Sequence, residues 1–137
     1  MPSDLEPLEA AVLEMLLAGE HPVLAALRAQ LAGATVKSRD FSGVGFFTEF
    51  ALGPHAVPTP VRSLRFGDVV ATVTGLKYGA GFLIFVDDGL LGTLEGYSFR
   101  EPWPEKITEF SVMYMEPGRP KLFEELRDTE EGCNGGQ

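Results

Sequence analysis

In "SDLEPLEAAVLEMLLAG" the apolar residues Leu8, Val12, Met15 and Leu16 recur at helical spacing, while Glu9 and Glu14 fall elsewhere on the wheel. This pattern predicts an amphipathic helix. Pro7 is tolerated only in a first turn, so Asp4 or Glu6 is a better cap than Ser3. In "GEHPVLAALRAQLAG", Gly19 closes the first helix and Pro22 opens a second, whose stripe of Leu24, Leu27 and Leu31 runs to Gly33. Neither helix is apolar all round, so each needs a surface to pack on.

From Ala34 the period changes. "ATVKSRDF", "SG" and "VGFFTEFAL" read as a hairpin of β-branched and aromatic residues. "GPHAVPTPVRSLRFG" carries three prolines and little periodicity, which predicts a long surface connection. Four strands follow, in "DVVATVTGL", "AGFLIFV", "LLGTLEGY" and "EFSVMYM". "LKYGAG" is read as the first turn among them, and Asp88-Gly89 as a tight hairpin turn. "SFREPWPEKIT" is irregular or makes one helical turn, and a short helix is expected around Leu122 to Arg127.

Helices followed by a run of strands predict an α+β fold, with two N-terminal helices packed on one face of a five- or six-stranded, mainly antiparallel, curled sheet. Residues 1–127 form one domain, and 128–137 a flexible polar tail. Phe82 to Val86 are apolar without a break, so both sides of that strand carry large side chains. Two short helices cover one face only. The other must be covered by curling, by the connection from Gly53 to Gly67, or by another chain, most simply a two-fold homodimer.

Charge narrows the partners. Twenty acidic against eleven basic residues give −9, which repels nucleic-acid backbones and anionic membranes and suits solubility or a basic protein partner. No apolar run approaches the 18 or more residues of a membrane span, and no basic run precedes an apolar stretch near Met1. The single cysteine, Cys133, excludes an intramolecular disulfide framework, which suits the cytoplasm.

Little of the chain spells out chemistry. His21 and His55 are far apart and Cys133 lies near the C-terminus, so neither a metal site nor a cofactor is expected. His21 reads as a turn residue and His55 as an exposed loop residue, with a catalytic base as its less favoured role. No serine-hydrolase elbow, phosphate-binding P-loop or zinc-protease helix is present. The glycines of "GLKYGAGF" precede a strand rather than a helix, so they are not a phosphate cradle. Asp87 and Asp88 belong to the turn.

Glu95 is of more interest, because period-two alternation in "LLGTLEGY" sets it on a strand face with Leu91, Thr93 and Tyr97. It is expected either at an exposed strand end or in a pocket. The other face carries Leu90, Gly92, Leu94 and Gly96, and glycine in a strand marks a bulge or a close approach, most simply by a helix side chain. Trp103, between Pro102 and Pro104, is either a lid on the sheet's end or an interface anchor.

"GFLIFVDDGLLGTLEGYSFREPWP", with "HPVLAALRAQL" nearer the start, resembles a group of small bacterial proteins in which a Leu-Glu-Gly-Tyr strand leads into a Pro-Trp-Pro turn. The likeness rests on Leu94 to Tyr97 and Glu101 to Pro104. It implies bacterial origin and a cytoplasmic setting, carries no activity to transfer, and draws attention to Glu95, Tyr97 and Trp103. Two functions stay open. One is a non-catalytic protein-binding module, either a homo-oligomer or an immunity-type partner of a basic protein. The other is a small-molecule binder or enzyme using a pocket around Glu95 and Tyr97, with Arg39, Asp40 or His55 brought close by folding.

Overall fold

The structure is a computed structural model that describes residues 1–135, those from 128 onward for their backbone alone. The flexible tail expected over 128–137 falls on residues whose side chains lie outside that description, Cys133 among them. Two helices, α1 (Pro7–Leu16) and α2 (Pro22–Ala32), precede seven strands, and α3 (Pro120–Gly135) closes the chain. The strands are β1 (Thr35–Phe41), β2 (Gly45–Ala51), β3 (Ser63–Phe66), β4 (Val69–Val73), β5 (Leu76–Asp87), β6 (Leu90–Ser98) and β7 (Phe110–Tyr114). Every pairing is antiparallel. The fold is α+β as expected, with seven strands rather than five or six.

The sheet runs β1-β2-β6-β5-β4-β7, and β3 also pairs with β5. The long β5 explains the extra strand. Its C-terminal half pairs with β3 (Leu64↔Val86, Phe66↔Ile84) and its N-terminal half with β4 (Val70↔Gly81, Ala71↔Ala80), so β3 and β4 are two pieces of one path broken at Gly67 and Asp68. Ser63–Phe66 thus belongs to the sheet, not to a surface connection. Its buried Leu64 and Phe66 alternate with exposed Ser63 and Arg65.

The first sharp turn is also not where the glycines suggested. It lies at Thr74-Gly75, between paired Val73 and Leu76, with Gly75 at φ 101°. "LKYGAG" lies within β5 instead, where its glycines admit neighbours: a Cβ on Gly81 would strike the Tyr97 ring, and one on Gly79 the Ala71 carbonyl. Asp88 (φ 53°) and Gly89 (φ 76°) form the expected hairpin turn, with Asp87 paired to Leu90.

Helices α1 and α2 pack on one face of the sheet, α1 against β7 and β4 and α2 against β6, while α3 meets β3. Their stripes and the inward residues of the strands form one core that includes Val12, Leu16, Leu24, Leu27, Phe82 and Ile84. Glu6 caps α1 and Pro7 is its first residue, as the proline dictated. His21 caps α2, its Nδ1 accepting from the Val23 N–H at 3.1 Å.

The end of α1 is completed from far along the chain. Its Leu16 and Ala18 carbonyls accept from Arg119 at 2.9 and 2.7 Å, and Met15 accepts from the Tyr114 hydroxyl at 2.7 Å. The same guanidinium forks onto Asp68 at 2.6 and 2.8 Å, both residues being buried. Gln30 does similar work for α2: it donates to the Val57 and Gly89 carbonyls and accepts from the Leu91 N–H, fixing the helix over the β5–β6 turn. Among the described residues no helix is long and apolar enough to cross a membrane.

Candidate functional site

A bulge decides which β6 residues face outward. Phe85 pairs with Thr93 but Val86 with Leu91, leaving Gly92 as the extra residue. The alternation expected for the whole strand is therefore reset. Leu91 joins Leu94 and Gly96 in the core, and Thr93, Glu95 and Tyr97 stand on the face away from the helices. The space beside Gly96 is filled by the Phe46 ring of the neighbouring strand rather than by a helix side chain.

Register aligns this open face in rows. Glu95 lies between Phe47 of β2 and Leu83 of β5, and Asp40 of β1 follows beyond Phe47. Tyr97 lies between Gly45 and Gly81, followed by Val70 and Met113. In a third row Thr93 sits between Glu49 and Phe85, with Arg65 next and its guanidinium over the Phe85 ring at 5.8 Å. Phe99 meets Tyr97 edge to face at 5.7 Å. Phe47 is 39% exposed, Phe99 49% and Met113 43%, so an aromatic and aliphatic strip crosses the sheet in contact with solvent.

Glu95 is the carboxylate within this strip. Partial burial among its apolar neighbours raises its pKa, and the charge of Arg65 only partly offsets that. The Tyr97 hydroxyl is raised too, first by burial and then by the Glu95 charge. Glu95 is thus neither at a free strand end nor in a closed pocket, but half-buried on an open face. Beyond Tyr97 and Phe99 lies a shallow depression of about 730 Å³, floored by β4, β5 and β7 and lined by Val70, Thr72, Tyr78, Phe99, Ser111 and Met113.

Trp103 is elsewhere. Its ring packs edge to face on Phe46 at 5.4 Å, on the helix side of the sheet, and its backbone N–H donates to the Gly43 carbonyl at 2.8 Å. The Glu101 carboxylate accepts from the Lys77 and Tyr78 N–H groups at 2.8 and 3.0 Å, and its carbonyl from the Ser98 hydroxyl. This segment is a brace, and Trp103 is partly buried against the core at the end of the β1–β2 hairpin. It also walls a cleft of about 460 Å³ with Phe41, Phe46, Ile107 and Phe110, at the start of α1.

The other residues considered with Glu95 separate in the same way. Asp40 shares its face, two strands away, which is roughly 10 Å. Arg39 points to the opposite side, where its guanidinium holds Glu9 at 2.6 and 3.1 Å and the Thr48 hydroxyl also bonds to Glu9. Those hydrogen bonds raise the Arg39 pKa, against the pull of burial. Glu9, off the helical stripe in sequence, is only 2% exposed because of these partners. His55 is exposed on the connection after β2. No group of three or more His, Cys, Asp or Glu placed to hold a metal occurs among the described residues.

Sequence reasoning missed Arg65, Phe47 and Phe85 as neighbours of Glu95. The one available signal was the alternation in Ser63–Phe66, which puts Arg65 on the outward side of a strand. Compared with family models, with curated proteins and with solved structures, the chain gives no match.

Proposed function

We propose that this protein is a non-catalytic protein-binding module that uses the open face of its sheet. The observation that carries the reading is Glu95, a partly desolvated carboxylate between Phe47, Leu83 and Tyr97 on the face opposite α1 and α2, with α3 at its border beside Leu83 and Arg65. Aromatic side chains around a polar centre resemble the cores of protein interfaces, where such residues carry most of the energy. A partner arginine or lysine would restore to Glu95 the stabilisation that burial has removed. The net charge of −9 favours a basic partner and speeds its approach, and it opposes nucleic acid and anionic membrane surfaces. The lone Cys133 supports a reducing, cytoplasmic setting.

The test compares capture from a cytoplasmic extract by the wild-type chain and by a Phe47→Ser/Glu95→Lys variant, both checked for the same circular dichroism. The reading expects a basic protein held by the first and lost by the second. Equal retention by both chains would overturn it.

A second reading rests on the depression beside Tyr97 and Phe99, whose mixed apolar and hydroxyl lining suits a small molecule. In that case Glu95 and Tyr97 form its margin. A ligand that raises the melting temperature of the wild type but not of Phe99→Ser would favour it.

A further inference from the structure

The sheet ends in β1 on one side and, on the other, in β7 and in the short β3, which α3 meets; β1 and β7 are finished differently. On β1 the Val36 N–H is taken by the Asp4 carboxylate at 2.9 Å, the register slips at Lys37, and Lys37, Arg39 and Asp40 put charge along the strand. These devices discourage a further strand from adding to the edge. Strand β7, Phe-Ser-Val-Met-Tyr, has none of them: no charge, no proline and no bulge.

The orientation of its backbone follows from the pairing with β4. The Met115 N–H donates to the Asp68 carbonyl at 2.9 Å, and the Glu109 carbonyl accepts from the Thr74 N–H at 3.0 Å. In an antiparallel ladder the bonding direction alternates, so Ser111 and Met113 also turn their groups toward β4. Phe110, Val112 and Tyr114 therefore turn their N–H and C=O groups to the outer edge. No strand among the described residues pairs there.

We propose that two copies of the chain join through β7, antiparallel, with Val112 on the two-fold axis. That register sets Val112 against the partner's Val112 and Phe110 against the partner's Tyr114. Every outward N–H and C=O of the strand is then bonded, two for each facing pair. The flanking acids do not collide: Glu109 faces the partner's Met115, and Thr108 the partner's Glu116. On the open face Ser111 faces the partner's Met113, and the two apolar strips become one surface. A second copy is the occupant that this edge fits because the segment is its own complement in length, bonding phase and charge. The inference does not depend on what the open face binds.

Hydrogen exchange on the full wild-type chain tests it without a substitution. The Met113 amide should be protected at all concentrations, because it bonds to β4. The Val112 and Tyr114 amides should become protected only as concentration rises, in step with a doubling of mass from 14.9 kDa by sedimentation equilibrium. In a Cys133→Ser background, Val112→Cys should cross-link to itself on mild oxidation, since facing Cα atoms about 5.5 Å apart lie within disulfide range. Met113→Lys, at a position exposed in the single chain, should weaken the dimer at least ten-fold and leave its circular dichroism unchanged. A chain that stays monomeric at hundreds of micromolar, or a dimer in which Val112 is neither protected nor cross-linked, overturns the proposal.

Discussion

On the helix-covered face Glu9 is closed in by Arg39, Thr48 and the Glu6 N–H, and Asp68 by the Arg119 fork. On the open face Glu95 has apolar neighbours and, among the described residues, the offsetting charge of Arg65. The same sheet thus handles carboxylates in two ways. Buried charges are costly unless fully paired, so those beneath the helices come with partners and lock the fold. Glu95 is left part-desolvated and short of a partner, an arrangement with little structural value that a binding site can use. Polar residues of the covered face therefore serve architecture, and those of the open face are the ones on which the proposed recognition rests.

The sharpest way to break this distinction is to delete one arginine from each face. Arg119→Ala strands the buried Asp68 carboxylate and uncaps the Leu16 and Ala18 carbonyls, at an expected cost of roughly 3–5 kcal/mol. Arg65→Ala, exposed, stacked on Phe85 and acting on Glu95 only through its charge, should stay within about 0.5 kcal/mol. Urea unfolding of both variants checks the pair, and similar losses would erase the contrast.

Next in size is a comparison of two glycines in β6. A Cβ on Gly96 would intrude on the Phe46 ring, whereas one on Gly92 meets nothing nearer than the Phe85 carbonyl at 3.4 Å. Gly96→Ala should cost about 1–3 kcal/mol by overpacking. Gly92→Ala should remain within about 0.5 kcal/mol, and the melting temperatures should rank accordingly.

The smallest effect has the opposite sign. The Glu95 pKa is raised in the folded chain, so the folded state holds this proton more tightly than the unfolded state. Stability from this group is present below the ordinary glutamate range, about pH 4, and falls as pH rises through the folded value. Glu95→Gln should therefore stabilise at neutral pH by no more than about 0.5 kcal/mol, because the site is mostly hydrated. The gain should vanish near pH 4. A loss of stability at pH 7 would mean that Glu95 has a structural partner after all.

How much was legible followed from how local each cause is. The Asp88-Gly89 turn and the Pro7 and Pro22 helix starts depend on adjacent residues, and all were readable. Strand β3 was not, because four residues after a proline-rich stretch give too short an alternation to stand against their surroundings. Gly79 and Gly81 looked like a turn because glycine has two uses, and only the third dimension shows that Tyr97 and Ala71 need the space. The pairing of Glu9 with Arg39 and Thr48 spans 30 and 39 residues, a distance over which helical periodicity carries no information. Glu95 and Tyr97 were readable as sharing a face, but the separation of Trp103 onto the other side required the register.

The completion of α1 by Arg119 also sets a schedule for synthesis. Its Leu16 carbonyl waits for a donor 103 residues later, a delay of roughly 5–20 s at 5–20 residues per second on the ribosome. The waiting helices have 10 and 11 residues, below the length of about 12–15 at which an isolated helix holds in water. The nascent chain therefore lacks a finished N-terminal layer until Arg119 has been added and can reach it. Ribosome-stalled chains extended at the C-terminus by a linker should stay open to protease while the linker is too short for Arg119 to clear the exit tunnel, and become resistant in a single step once it does.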